Sequence, residues 1–301
     1  MMLRRTLLLL VAAAALCAPA ARAQTQAEDK YFNATGVRIR YVDVGRGEPV
    51  VLIHGFSSSL DANWPTTIDA LAKDFRVVAL DCRGHGKSDK PHDAASYGIQ
   101  MIEDIARLMD HLNIPKAHIV GYSMGGAMTG KFIATHPDRV ISAVFGGSAP
   151  RMGWTPQAER DSNELAESLE QGKGMRPLIM RLAPPNEPKP SDEQVDQQSR
   201  AIIGRNDPLA LAAVQRGNKE QTVTLAEVRA LRMPLLAVIG SADPIKAGVD
   251  AFKTIKPDLN VVVIEGATHS GVRGAPARPE FAAAVHDFLA AHRLAAGSAG
   301  L

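Results

Sequence analysis

The stretch HIVGYSMGGAMTGKF (residues 118–132) places one serine between two glycines, where a predicted strand is followed by a predicted helix. Gly121, Ser123 and Gly125 form the pattern G-x-S-x-G. Glycines on both sides allow a strained strand-to-helix turn that lifts a serine hydroxyl clear of a sheet. We therefore interpret Ser123 as a candidate nucleophile. A glycine-rich turn that happens to contain a serine is the alternative interpretation.

Short apolar runs recur along the chain and predict an α/β fold. An alternating segment that turns at Gly36 predicts a first strand pair. Helical patterns at residues 64–75, from Ile102 to Leu112 and around Phe281 alternate with the later runs. Strands that alternate with helices predict a mostly parallel central sheet with helices on both faces. Besides the run before Ser123, five continuous apolar runs predict strands buried on both faces: residues 49–55, 75–81, 140–147, 234–240 and 260–266.

Residues 151–232 interrupt this alternation, because they contain no convincing strand. The segment is polar, helical in places, and carries a proline-rich bend, LAPPNEPKP. Strands resume after it, so we predict an inserted helical cap at residues 151–232. The core of the fold then comprises residues 24–150 and 233–301.

Residues 1–23 have the composition of a secretory signal peptide. A basic start at Arg4 and Arg5 precedes an apolar run over residues 6–16, and an Ala-Arg-Ala sequence ends at Ala23. The run is too short to span a bilayer, so we predict cleavage, export to the periplasm or beyond, and no stable membrane insertion afterwards. An uncleaved anchor is the alternative. The paired arginines leave the general and the twin-arginine export routes open.

The charge balance argues against a nucleic-acid partner. Cleavage would remove three arginines, which lowers Lys and Arg from 34 to 31 against 32 Asp and Glu. The apparent basicity of the chain therefore belongs to its signal, and nothing indicates nucleic acid or an anionic membrane surface as a partner. Cleavage also leaves Cys82 as the single cysteine, so the exported chain would have no internal disulfide.

A nucleophilic serine needs a base, usually histidine, and a third group that orients the base. In a parallel sheet such residues gather beyond the carboxyl ends of the strands. Asp243 follows the run at 234–240, and His269 follows the last run. The chain order Ser123, Asp243, His269 is the nucleophile–acid–base order expected with this turn. Asp243 in an ordinary Asp-Pro turn is the alternative.

The chain resembles the α/β-hydrolase superfamily over nearly all of its length after the signal. The matching motifs are LIHGF, DCRGHGKS, GYSMGG, GSADP, GATH and RPEF. The resemblance implies the α/β-hydrolase fold, with backbone N–H groups of Phe56 and Met124 as donors to an oxyanion. A tetrahedral oxyanion does need two such preorganised donors. Thr268 departs from the pattern, because many relatives have glycine before the histidine.

Two other motifs are rejected. Gly86, Lys87 and Ser88 resemble the end of a phosphate-binding loop, but Asp81 stands where that loop requires its first glycine. Cys82 is interpreted as a small packing residue, since no separate base for a thiol is evident. The chain has no H-E-x-x-H and no paired Cys/His spacing, so we expect neither a metal nor another cofactor.

These observations predict an exported serine hydrolase that cleaves carboxylic esters through an acyl-enzyme. A C–C bond hydrolase, a lactonase or a perhydrolase would use the same residues, whereas members with an aspartate nucleophile are disfavoured by Ser123. A catalytically silent binding module on the same fold is the non-enzyme alternative.

Trp64, Met152 and Trp154 are the predicted substrate-pocket residues. A largely apolar, roofed pocket suits a small-molecule ester with a short or medium acyl group. The alternative is that these side chains only pack the cap onto the sheet. The sequence carries no signal for a particular oligomeric state.

Overall fold

The computed structural model describes residues 27–294, which are organised around an eight-stranded sheet. The signal predicted at residues 1–23 and the segment 295–301 lie outside the described residues. The strands are β1 (Lys30–Ala34), β2 (Val37–Gly45), β3 (Pro49–Ile53), β4 (Arg76–Leu80), β5 (Ala117–Tyr122), β6 (Val140–Gly146), β7 (Leu235–Gly240) and β8 (Asn260–Ile264). Their order is β1-β2-β4-β3-β5-β6-β7-β8.

Strand direction divides the sheet into two parts. β2 pairs antiparallel with both β1 and β4. β1 and β2 are the predicted first strand pair, and β2 joins this pair to the rest of the sheet. From β4 onward every neighbouring pair is parallel. The predicted mostly parallel sheet is therefore confirmed, and the carboxyl ends of β3, β5, β6, β7 and β8 meet at one edge.

Helices cover both faces of this sheet. Strand residues alternate between two apolar layers, so that Ile119 of β5 lies in one and Val120 in the other. The helices of the core are α1 (Leu60–Asn63), α2 (Pro65–Leu71), α3 (Ile99–His111), α4 (Met124–Thr135), α10 (Lys246–Ile255) and α11 (Pro279–Ala291). The first layer contains residues of α3, α4 and α10, and the second contains residues of α2 and α11.

The remaining helices lie between β6 and β7, in the segment interpreted as an inserted cap. The first four of them pack around a small apolar cluster of their own that includes Leu165, Met175 and Leu211, whereas Val228 of the last one packs in the main core. Phe56, from the loop after β3, packs against both this cluster and the main core. The cap helices are α5 (Pro156–Glu170), α6 (Arg176–Arg181), α7 (Asp192–Ile203), α8 (Pro208–Gly217) and α9 (Leu225–Ala230).

Two predicted elements differ from the structure. The helix predicted at residues 64–75 is confined to α2, because Trp64 has non-helical backbone angles and precedes Pro65. The run at 260–266 was predicted to be buried on both faces, yet Val262 and Val263 are 37% and 44% exposed. β8 pairs only with β7 and lies at the edge of the sheet, where less of it is covered. Within residues 27–294, no helix is long and apolar enough to span a membrane.

Candidate active site

Ser123 occupies a strained turn between β5 and α4. Its backbone angles are φ 53° and ψ −112°, a conformation that residues with a side chain rarely adopt. Such a residue costs about 1–3 kcal/mol and persists only where the surroundings enforce it. Here the Ser123 N–H donates to the Gly146 carbonyl at 2.8 Å, which ties the turn to the end of β6. The hydroxyl is held at the carboxyl edge of the sheet, and Ser123 is partly exposed.

The two glycines beside Ser123 are required by packing as well as by conformation. A Cβ atom on Gly121 would lie 2.0 Å from the Gly125 carbonyl oxygen. A Cβ on Gly125 would lie 2.0 Å from the carbonyl oxygen of Ile53 at the end of β3. Both obstacles are backbone atoms, which cannot rotate away as a side chain can. The G-x-S-x-G pattern therefore lets α4 start directly against the neighbouring strands.

The structure brings Ser123, His269 and Asp243 into one hydrogen-bonded chain. His269 Nε2 lies 2.9 Å from Ser123 Oγ, and His269 Nδ1 lies 2.8 Å from Asp243 Oδ2. A carboxylate can only accept, so Nδ1 carries the hydrogen and Nε2 is free to accept the serine proton. Asp243 is 2% exposed, and its other oxygen accepts the Ile245 N–H at 2.9 Å. This geometry permits Ser123 to be deprotonated as it attacks an electrophile.

Tyr122 contacts His269 and helps to fix its position, and the sequence did not predict this contact. Its hydroxyl donates to the His269 carbonyl at 2.6 Å, and the two ring centroids are 5.5 Å apart. Burial, together with the nearby Asp243 charge, raises the pKa of the Tyr122 phenol well above its ordinary value, so the group remains a donor. No local signal marks this residue, because its partner is far away in the sequence.

The backbone positions predicted for oxyanion donors lie beside the serine. Met124 is the first residue of α4, so its N–H is one of those that an α-helix leaves without an intrahelical acceptor. The dipole of α4 also directs positive potential toward this end. Phe56 follows Gly55, and a Cβ on Gly55 would lie 3.3 Å from Ser123 Cβ. The loop after β3 therefore passes close to Ser123 and to the start of α4.

Comparison with known proteins agrees with this geometry. A family model described as the alpha/beta hydrolase fold matches residues 48–272, which is more than half of the chain. The chain belongs to the α/β-hydrolase fold family. This match confirms the α/β-hydrolase fold that the sequence resemblance implied.

Individual relatives of this α/β-hydrolase differ in their chemistry. The 2-hydroxy-6-oxo-6-(2'-aminophenyl)hexa-2,4-dienoic acid hydrolase of Metapseudomonas resinovorans is 28% identical over 232 residues, which are 75% of this chain and 78% of that protein. The dihydrolipoyllysine-residue acetyltransferase component of the acetoin cleaving system of Cupriavidus necator is 38% identical over 151 residues, 46% of this chain. The alignment spans 40% of that curated relative's length, which is less than half.

A solved structure extends the likeness to most of the fold. A thermophilic esterase from Thermogutta terrifontis, determined with malate bound, superposes with a TM-score of 0.73 at 25% sequence identity. The superposition covers 89% of this chain and 100% of that one. The esterase is therefore similar to this α/β-hydrolase over most of the described residues.

Buried polar groups fix the loop that carries Phe56. The Gly55 N–H donates to Asn63 Oδ1 at 3.0 Å, and the Leu60 N–H donates to Asp81 Oδ1 at 2.8 Å. Asp81 is fully buried and also accepts from the Arg40 guanidinium at 3.1 Å. These contacts hold both ends of the loop, so its backbone position next to the nucleophile depends on residues from three separate segments.

His54 and His85 pack beside this loop. The Cys82 N–H donates to His54 Nε2 at 3.0 Å, so His54 is a neutral imidazole that donates from Nδ1 to the Gly55 carbonyl at 2.7 Å. His85 packs edge-on against the Phe56 ring with centroids 5.7 Å apart. Burial lowers the pKa of His85 to about 3. Both histidines support the loop as neutral rings.

The structure corrects the predicted pocket. Trp64 is fully buried in the second core layer, where its ring contacts Tyr122 and Phe281, so it lies beneath the site and does not line it. Met152 packs against the main core. Trp154 lines a separate cavity of about 200 Å³. None of Ser123, His269 and Asp243 lines that cavity. The sequence pattern identified large apolar side chains near the cap but carried no information about their direction.

The described part of the chain was expected to contain no metal site. No group of three or more His, Cys, Asp or Glu residues within 27–294 is arranged to hold a metal ion. Cys82 is 2% exposed, and burial raises the pKa of its thiol well above the ordinary value.

Proposed function

We propose that this α/β-hydrolase is a serine hydrolase that cleaves small carboxylic esters. Ser123 is the nucleophile, His269 is the general base and acid, and Asp243 orients the imidazole. The backbone N–H groups of Phe56 and Met124 receive the oxyanion. The observation that carries this proposal is the pair of hydrogen bonds on His269, 2.9 Å to Ser123 and 2.8 Å to Asp243.

Each step follows from the positions of these groups. Ser123 Oγ attacks the ester carbonyl carbon as His269 Nε2 takes its proton, and negative charge moves to the carbonyl oxygen. His269 then protonates the departing alkoxide, which leaves an acyl group on Ser123. Water, deprotonated by the same nitrogen, attacks the acyl-enzyme and releases the acid. Asp243 stabilises the imidazolium that forms twice in this cycle.

Ester hydrolysis is favoured because the Thermogutta terrifontis esterase is similar over 89% of this chain. C–C bond hydrolysis is a second candidate, supported by the 28% identity to the dienoic acid hydrolase of Metapseudomonas resinovorans. The two reactions would share the same serine. Parallel assays with nitrophenyl esters and with a 2-hydroxy-6-oxo-dienoate separate them, and turnover of the dienoate alone would replace the ester proposal.

A fluorophosphonate probe tests the nucleophile directly, because it reacts with activated serines. We expect covalent labelling of the wild type at Ser123, confirmed by peptide mass spectrometry, and no labelling of Ser123→Ala. Asp243→Asn should retain the fold and lose about four orders of magnitude in turnover, because the imidazole adopts the wrong tautomer. Absence of labelling in the folded wild type would contradict the assignment of Ser123.

The acyl preference follows from the expected roofed pocket, and we propose short or medium chains. Initial rates on nitrophenyl esters of increasing chain length test this preference. A steady rise in rate toward the longest chains would refute it. The cap methionine Met175 is fully buried inside the cap cluster, so it does not contribute to this pocket.

We also propose that the chain is exported to the periplasm or beyond, because residues 1–23 have the layout of a signal peptide. Expression of the full chain in a Gram-negative host, followed by fractionation and N-terminal sequencing, tests this. The expected product is periplasmic or secreted and begins near Gln24. A product that keeps its first residues in the cytoplasmic fraction would refute the proposal.

A further inference from the structure

The turn that carries Phe56 contains a second strained residue, Ser57. Residues 55–58 form a turn that is closed by a hydrogen bond from the Ser58 N–H to the Gly55 carbonyl at 3.3 Å. Ser57, the third residue of this turn, has a φ of 56°, as in a type II turn, where glycine is preferred. A serine keeps this conformation only where its surroundings enforce it. The core contacts described above act at Gly55 and Leu60, on either side of Ser57.

The cap supplies a hydrogen bond to this strained residue. Asn206 lies between α7 and α8, and its Nδ2 donates to the Ser57 carbonyl at 3.1 Å. The same nitrogen donates to the Ile202 carbonyl in the last turn of α7 at 2.9 Å. Carbonyl oxygens only accept, so the two contacts require the nitrogen of the Asn206 amide to face both of them. One amide group therefore joins the end of α7 to the middle of the Phe56 turn.

Asn206 is presented by a packed part of the cap. Its N–H donates to the Ile203 carbonyl at 3.1 Å, which continues the end of α7. Asp207, the next residue, is the N-cap of α8 and accepts two backbone hydrogen bonds from the first turn of that helix. Both helices contribute to the apolar cluster of the cap, through Val195 and Leu211. The position of the Asn206 amide is therefore tied to that of the cap helices.

A neighbouring contact joins the cap to a different loop of the core. Asp207 Oδ2 lies 2.9 Å from Nε2 of His92, a residue of the loop after β4 whose side chain is 52% exposed. A groove of about 590 Å³ opens at this seam, lined by residues 204–209 of the cap and by Gly86, Lys90 and His92 of the core. The His92 contact does not involve the Phe56 turn. Its removal is therefore a matched control for removal of the Asn206 contact.

We propose that Asn206 is a positioning residue for the reaction assigned to Ser123. This inference rests on the proposed function, in which the Phe56 N–H receives the oxyanion. The turn passes close to the nucleophile, since a Cβ on Gly55 would lie 3.3 Å from Ser123 Cβ. Through the Ser57 carbonyl, Asn206 holds the closed turn, and with it the Phe56 N–H, in one orientation before negative charge develops on the substrate. The cap thereby acts on the reacting centre through a hydrogen bond.

Asn206→Asp tests this role, because aspartate has nearly the same shape but its carboxylate cannot donate. We expect kcat for nitrophenyl acetate to fall about tenfold with little change in KM, as for an interaction that matters in the transition state. The loss should be smaller than the roughly 10²–10³-fold cost of removing an oxyanion donor, because the Phe56 N–H is still present. His92→Ala, which breaks the neighbouring exposed contact, should keep kcat within about twofold of the wild type.

Hydrogen exchange measured by mass spectrometry reports on the turn without any turnover. Exchange in the peptide that contains residues 55–58 should be faster in Asn206→Asp than in the wild type, because the turn opens more often. His92→Ala should exchange there as the wild type does. Asn206→Ala removes the same donor and replaces Asn206→Asp in both measurements if that variant does not fold.

The outcomes separate this inference from the proposed function. An active wild type together with a folded Asn206→Asp that keeps its kcat, or that loses no more than His92→Ala, would overturn the inference alone. A change confined to KM, or unchanged exchange at residues 55–58, would overturn it as well. A wild type with neither ester turnover nor fluorophosphonate labelling would refute the proposed function, and the role of Asn206 in that reaction with it.

Discussion

The strained backbone of Ser123 predicts that this residue reduces the stability of the fold. Its φ of 53° and ψ of −112° disfavour every residue that has a Cβ atom. Ser123→Gly removes the Cβ and the strain, whereas Ser123→Ala removes only the hydroxyl. Both variants lack the Ser123 hydroxyl, so the difference in unfolding free energy between them reflects the cost of this conformation and the greater flexibility of glycine in the unfolded chain.

The expected difference combines two opposing effects. Relief of strain stabilises the glycine variant by about 1–3 kcal/mol. Glycine is more flexible in the unfolded chain, which destabilises the same variant by about 0.5–1 kcal/mol. We therefore expect Ser123→Gly to be more stable than Ser123→Ala by about 1 kcal/mol. For a chain of this size, that corresponds to a thermal midpoint about 2–4 °C higher.

Urea unfolding followed by circular dichroism, together with calorimetry, measures this difference. Ala251 provides the control, because it is exposed on α10 and has ordinary helical neighbours. There, glycine should be less stable than alanine by about 1 kcal/mol, the reverse of the result at Ser123. If Ser123→Gly proves no more stable than Ser123→Ala, the turn is not strained and the reasoning fails.

Three further predictions concern packing, reactivity and pH. In urea unfolding, Gly125→Ala should destabilise the fold by about 3 kcal/mol or more, because the new Cβ would meet the Ile53 carbonyl. Gly248→Ala is the control: a Cβ there would have no atom within 4 Å, so this variant should stabilise the fold by about 0.5–1 kcal/mol. Cys82 should resist a thiol reagent in the native protein and react after denaturation, since it is buried and the pKa of its thiol is raised; rapid native labelling would contradict this. Burial lowers the pKa of His85 from 6.5 to about 3 in the folded protein. Between pH 6.5 and pH 3 the His85 side chain therefore binds a proton more readily in the unfolded chain, so the free energy of unfolding falls as the pH is lowered through this range. His85→Gln should show a smaller loss of unfolding free energy between pH 7 and pH 5, and an identical loss would refute the contribution.

The sequence by itself determined that the sheet is mostly parallel and that Ser123, Asp243 and His269 meet at one edge of it. Ser123, Asp243 and His269 each follow a strongly apolar run, and the pattern of runs and helices predicts parallel strands. Parallel strands place their carboxyl ends at one edge, so three residues far apart in the sequence were expected to meet there. The requirement for Gly121 was also predictable, because the obstacle to its Cβ, the Gly125 carbonyl, lies within the same strand–turn–helix unit, whereas Gly125 faces Ile53 of the neighbouring strand.

Only the tertiary structure decided how side chains are oriented around that edge. Trp64 points into the core, and the Tyr122 hydroxyl reaches the His269 carbonyl. Each of these facts depends on segments that approach from distant parts of the chain. Local patterns report the period of burial along one element. They do not report which side chain of a remote element fills the space opposite, and that packing decides whether a residue supports, lines or avoids a site.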